Sequence, residues 1–224
     1  MDWTRAVDGY CERMGPGLWA EPVNAVTNLA FILAALLVWR RTGGLPKARA
    51  LAIVLVLIGI GSGLFHTFAQ AWAALADVLP ILGYIVIYIY ASHRDFWGQG
   101  RWIATLLTAL SVPAMMALAQ VLPFREALGG SAGYVPVPLL IFLHAAFLAG
   151  RAPATARGLA LGAGLLCLSI AARTLDEPLC GAVPPGTHFL WHVLNAWMLG
   201  WMILVYVRHV EEAPGRLAGA RARR

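Results

Sequence analysis

The sequence predicts an all-α polytopic membrane protein, a bundle of seven transmembrane helices with the N-terminus outside and the C-terminus in the cytoplasm. Three observations predict it. The chain is 60% hydrophobic and only 12% charged, with a mean hydropathy of +0.70, whereas a soluble domain carries roughly a quarter charged residues to cover its surface. Seven apolar stretches stand out, at 22–39, 50–68, 73–91, 102–122, 134–150, 157–172 and 188–207. Each approaches the roughly 20 residues that a helix needs to cross a bilayer. Polar segments bearing Gly or Pro, such as Arg40–Arg49 and Ser92–Arg101, separate them.

Taken in order, the first span follows Glu21, the second ends near His66, and the third begins around Asp77. The fourth carries no ionisable group, and the fifth holds His144. The sixth is short and rich in Ala and Gly, which suits close helix packing. The seventh opens on His188 and His192. This divides the chain into an outer N-terminal segment (1–21), the bundle (22–207) and a polar basic tail (208–224). The spans leave no room for a separate soluble domain. No signal peptide is visible, because the first 20 residues carry Asp2, Asp8 and Glu12 and lack an apolar core.

Orientation follows from Lys and Arg. Arg5, Arg13, Arg125 and Arg173 fall on one side; Arg40, Arg41, Lys47, Arg49, Arg94, Arg101, Arg151, Arg157 and the five tail arginines fall on the other. The excess marks the cytoplasmic face, where it meets anionic lipid. The net charge of +6 is therefore no nucleic-acid footprint. Sixteen arginines to one lysine, with abundant Ala and Gly, suggest a high-GC bacterial genome, hence an inner-membrane protein. Nothing in the sequence sets an oligomeric state.

Ionisable groups inside spans are costly and usually functional. In this topology Glu21, His66, Asp77, His188 and His192 all fall in the outer leaflet, and His144 alone lies towards the cytoplasm. His188 and His192 are i and i+4, so both rings leave one helix face. With His66 as third ligand they form a three-histidine site, the arrangement of catalytic zinc with one position open. Imidazole suits iron and cobalt as well. Asp77 returns beside His66 and is placed to move a proton. Ser62, four residues before His66, is placed to donate to an oxyanion. The bland alternatives are an incidental histidine pair, a helix N-terminal charge at Asp77 and a packing serine at Ser62. His144 reads as packed, and His93 and His209 as interface residues. Phe65, Phe68, Trp72, Phe189 and Trp191 offer apolar surface for a pocket, and Cys167 reads as a buried small hydrophobe.

The same residues carry a resemblance. Tyr10-Cys11-Glu12, Trp19–Asn24 with Asn28, Gly61–His66, Asp77–Pro80 and His188–His192 resemble the alkaline ceramidase family, part of a wider group of seven-helix membrane hydrolases that includes the adiponectin-type receptors. The likeness runs from about residue 8 to 207. It implies a zinc amidase that cleaves the N-acyl bond of ceramide, or of a similar membrane N-acyl lipid, to a fatty acid and an amine-bearing base. It implies His66, His188 and His192 as zinc ligands, Asp77 as general base and Ser62 as oxyanion support. It also implies a calcium site with Glu12, Glu21 and Asp8 as acidic ligands, although Met14 stands where the family has an asparagine. Three carboxylates on so short a segment repel unless a cation or an arginine joins them. A disulfide between Cys11 and Cys180, with Asp176 before it, is implied as well. The competing readings are a lipid-sensing receptor with structural zinc, a transporter, for which paired broken half-helices are lacking, and a haem carrier. An i,i+4 pair cannot supply two opposed axial ligands to haem.

Overall fold

The computed structural model describes residues 2–212, and among them the regular elements are helices. In chain order they are α1 (Pro22–Thr27), α2 (Leu29–Trp39), α3 (Pro46–Phe68), α4 (Ala71–Ala91), α5 (Arg101–Gln120), α6 (Arg125–Leu128), α7 (Pro136–Leu148), α8 (Pro153–Thr174) and α9 (His188–Glu212). Six segments are long and apolar enough to cross a membrane, and a bent pair offers a seventh. The first crossing joins α1 and α2 through Asn28, whose side-chain amide donates to the Asn24 carbonyl at 2.8 Å. α4 runs on through a π-helical turn at Ser92–Phe96.

The fifth stretch, expected at 134–150, contains the shorter helix α7 and is preceded by a bend. Arg125–Tyr134 and Pro136–Leu148 meet at 64°. The cause lies in the chain: Gly129, Gly130 and Gly133 break helical order, and Pro136 and Pro138 have no N–H to continue a helix from before them. α7, with 13 residues, is about 20 Å long, short of the roughly 30 Å hydrocarbon core. The last helix departs in the other direction. It continues to Glu212, through residues expected to begin the polar tail; Arg208 lies over the Trp201 ring at 5.5 Å. Residues 213–224 of that tail lie outside the described residues.

α3 packs against α4, α2 and α9, while α8 packs between α7 and α9. Leu51, Leu55, Ile58, Leu159 and Ile203 are fully buried there. The small residues of the sixth stretch do what their composition predicts, since Gly158 and Gly162 lie directly under Val205 and Met202 of α9. Leu37, Leu106, Leu161 and Trp197 point outward, as lipid-facing residues do. Cys167 corrects the expectation of burial: it is exposed on the outer face of α8, where a membrane supplies its apolar surroundings. His144 is packed as expected, accepting from Trp97 Nε1 at 3.0 Å.

One end of the bundle gathers the N-terminal segment, the α3–α4 turn and the α8–α9 loop. The segment crosses that turn through an isolated bridge between Ala6 and Gln70. The far end carries the α2–α3, α4–α5 and α7–α8 connections.

Candidate metal centre

The site is assembled by pinning the N-terminal segment over the helix ends. Cys11 is bonded to Cys180, with Cα atoms 5.4 Å apart. Asp176, 1% exposed, accepts from the Cys11 N–H at 2.9 Å and from the Thr187 and His188 N–H groups at 2.7 and 2.8 Å. One carboxylate thus caps α9 and anchors the segment. A Cβ on Gly186, whose φ is +66, would meet Asp176 Oδ1 at 2.1 Å, so only glycine fits beside it. Glu12 caps α1, accepting from the Val23 and Asn24 N–H groups at 2.7 and 2.8 Å.

Beneath this lid stand His66, on the last turn of α3, and His188 and His192, on the first turns of α9. They are 1%, 2% and 0% exposed, and one ligand atom from each lies within 4.8 Å of the others. Their partners set the ring orientation. Glu21 Oε2 meets His66 Nδ1 at 2.6 Å. The Thr27 hydroxyl gives its proton to the Val23 or Asn24 carbonyl, so it accepts from His192 Nδ1, at 2.9 Å. Both Nε2 atoms are then lone-pair acceptors, yet they face one another at 3.1 Å. Two such acceptors attract only through a cation between them. Ligands about 2.0–2.1 Å from one tetrahedral ion stand about 3.3 Å apart, close to this spacing. His188 Nδ1 is buried with no hydrogen-bond partner, and the His188 ring stacks on Tyr10 at 3.7 Å. The donor set fits a single divalent ion such as zinc, held by carboxylate- and hydroxyl-oriented imidazoles.

Asp77 reaches this cluster because α3 and α4 touch at the backbone. A Cβ on Gly61 would meet the Ala76 carbonyl oxygen at 2.1 Å. That contact sets Ser62 and His66 as the electrostatic neighbours of the Asp77 carboxylate, whose Oδ1 is buried without a hydrogen-bond partner. Asp77 and His188 line a cavity of about 490 Å³ that also holds Arg173, Tyr134 and Trp191. A smaller apolar cavity of about 80 Å³ lies between the spans, lined by Ile85, Val137, Leu140 and Met198 and again by Tyr134 and Trp191. Trp191 and Phe65 are thus pocket residues as expected, while Phe68 and Trp72 pack on each other at 5.3 Å.

Sequence reasoning missed the role of Arg173, counted there only as a charge. Its guanidinium donates to Ser131 Oγ at 3.0 Å and to the Tyr10 hydroxyl at 3.2 Å. It lies 5.5 to 5.8 Å from the ring centres of Tyr134, Trp191 and Tyr10. Thr27 was missed too; Asn24, Thr27 and Asn28 form a polar stripe in an apolar span, a signal that could have found it.

The acidic residues of the N-terminal segment are not brought together. Asp8 is exposed, Glu12 spends both oxygens on α1, and Glu21 pairs with Arg13 at 2.5 Å as well as with His66. Glu21 thus accepts hydrogen bonds from both His66 Nδ1 and the Arg13 guanidinium. Among the described residues, the group that can hold a metal ion through three His, Cys, Asp or Glu side chains is the histidine cluster. These three carboxylates do not converge on one point in this structure.

The family model described as Ceramidase matches residues 10–218, nearly the whole chain. No curated protein matches it significantly.

Proposed function

Because the chain belongs to the ceramidase family, we propose that it is a zinc-dependent membrane amidase that hydrolyses the N-acyl bond of ceramide or a similar N-acyl lipid. The observation that carries this reading is that His188 of the cluster and Asp77 line a polar cavity, which shares Tyr134 and Trp191 with an apolar one. A lipid amide needs such a junction, with the acyl chain among Ile85, Val137, Leu140 and Met198 and the polar amine half beside Arg173.

His66, His188 and His192 hold the ion. When bound, it supplies Lewis acidity and makes water a nucleophile near neutral pH. Asp77 Oδ1, buried and unpartnered, accepts the proton of the attacking water as the new C–O bond forms. Ser62 turns its hydroxyl to the carbonyl oxygen as that oxygen gains charge. The C–N bond then breaks, and Asp77 returns its proton to the leaving amine. Tyr10, stacked on His188, and Trp191 wall the cavity in which the amide would react. The positive charge on the loops of the far end supports an active end facing the periplasmic leaflet of a bacterial inner membrane.

The test is fatty-acid release from ceramide by the purified protein in detergent, before and after chelation. Release that stops with the chelator and returns with zinc is expected. A zinc-loaded protein that cleaves neither ceramide nor any other N-acyl lipid would overturn the amidase and favour a receptor built on the same centre.

A further inference from the structure

Of the carboxylates that the resemblance assigns to calcium, Glu21 holds a guanidinium instead. The side chain of Arg13 is 5% exposed. Its Nε donates to Glu21 Oε1 at 2.5 Å, its Nη1 to the Gly15 carbonyl at 3.2 Å and its Nη2 to the His66 carbonyl at 3.2 Å. One carboxylate and two main-chain carbonyls are the oxygen types that calcium recruits, and here N–H groups hold all three. The neighbouring carboxylate is committed as well, since both oxygens of Glu12 accept from the first N–H groups of α1. A divalent ion brought to this place would meet a fixed positive charge at contact distance, in a buried setting where such repulsion is strong.

The guanidinium does more than neutralise. The Glu21 oxygen it leaves free is the one that meets His66 Nδ1 at 2.6 Å, with Asn24 Nδ2 donating to the same atom at 3.2 Å. Arg13 therefore grips the candidate ligand His66 twice, at its main chain directly and at its ring through Glu21. The grip is pre-organised, because the residues on its N-terminal side are fixed by the Cys11–Cys180 bond and by the Glu12 cap. Three acceptors in different directions call for a planar fork, which an ammonium does not offer.

We propose that Arg13 is a tethered cation standing where a calcium ion would, and that it positions the metal ligand His66 through Glu21, making the metal centre independent of calcium. The proposal rests on the metal-centre reading only in taking His66 as a ligand. Its test reads zinc affinity and melting temperature, not turnover, so loss of the amidase reading leaves it intact.

The full-length protein in detergent, depleted of calcium and reloaded with zinc, is titrated with calcium chloride. Calcium is not expected to move the melting temperature or the zinc affinity measured by chelator competition. A calcium-dependent rise in melting temperature that Glu21→Gln removes would overturn the proposal. Arg13→Asn is expected to weaken zinc binding roughly 10–100-fold, the usual cost of losing an outer-shell partner of a ligating histidine, and millimolar calcium is expected to restore part of it. Unchanged zinc affinity in Arg13→Asn would overturn the positioning role. Should that variant not fold, Arg13→Lys keeps the charge and loses the fork. It is expected to weaken zinc binding by about tenfold without gaining a calcium response, and wild-type affinity there would overturn the positioning role equally.

Discussion

Both ends of the bundle collect polar side chains, and they finish them differently. At the far end Asp95 takes Lys47 Nζ at 2.8 Å and the Tyr206 hydroxyl at 2.7 Å. His209 bridges the Asp95 carbonyl, at 3.2 Å, and the Thr155 hydroxyl, at 2.8 Å. That network ties α3, α8 and α9 to the π-helical turn and closes on itself. Two buried atoms nearby, His93 Nδ1 and Gln99 Oε1, have no hydrogen-bond partner but belong to no metal-ligating cluster among the described residues. At the histidine end the ligand set is left open: Asp77 Oδ1 and His188 Nδ1 are buried and unpaired, and two imidazole acceptors face each other at 3.1 Å. A buried polar group without a partner costs about 1–3 kcal/mol. What sets the histidine end apart is the convergence of three buried imidazoles, with ligand atoms within 4.8 Å of one another. The far end fastens helices; the histidine end prepares a site.

The comparison breaks most sharply at the ligands. His188→Ala is expected to abolish stoichiometric zinc, while Asp95→Asn keeps it, with metal content of the purified variants as the readout. Full zinc in the first variant would remove the ligand set. Asp77→Asn comes next. It preserves size and leaves the three histidines in place, so zinc content should hold while the turnover number falls by roughly 10²–10⁴, the range for a lost general base. A fully active variant would take Asp77 out of the mechanism. Gly61→Ala acts through the frame instead. The added methyl meets the Ala76 carbonyl at 2.1 Å, and α4 must shift away with Asp77 on it. The expected cost is about 1–3 kcal/mol of stability together with a drop in turnover at unchanged zinc content. Wild-type melting and turnover would show that the backbone contact positions nothing.

How much of this was legible in the chain depends on the range of the interaction. The spans were legible because lipid imposes long apolar runs, and His188 with His192 because four residues of helix bring two rings to one face. His66 and Asp77 followed from topology: a short turn between two antiparallel helices returns the chain to the same depth. The bent fifth segment was not, since its residues are apolar enough to span and only the Gly and Pro punctuation marks the break. Arg13 and Arg173 were counted as loop charges. Their function depends on where a segment outside the spans lies, and that is set by the Cys11–Cys180 bond and Asp176, contacts across 165 or more residues. The carboxylate repulsion read from Asp8, Glu12 and Glu21 admitted a cation or an arginine as its answer; for Glu21 the partner is Arg13, while Glu12 is met by the first N–H groups of α1.

The smallest expected effect sharpens the comparison from the closed side. Lys47→Met removes one partner of Asp95, and the two side chains are 30% and 24% exposed. An ion pair partly open to solvent contributes about 0–1 kcal/mol, and here Tyr206 still donates to Asp95 Oδ2. The variant should therefore melt within a few degrees of wild type, with zinc content and turnover unchanged. If it instead lost zinc, the two ends would be coupled through α3 and α9, the helices that carry both Lys47 and His66, and both Tyr206 and His192. The division into a fastening end and a chemical end would then fail, because a change at one terminus of each helix would be felt at the other, some twenty residues away in α3 and fourteen in α9.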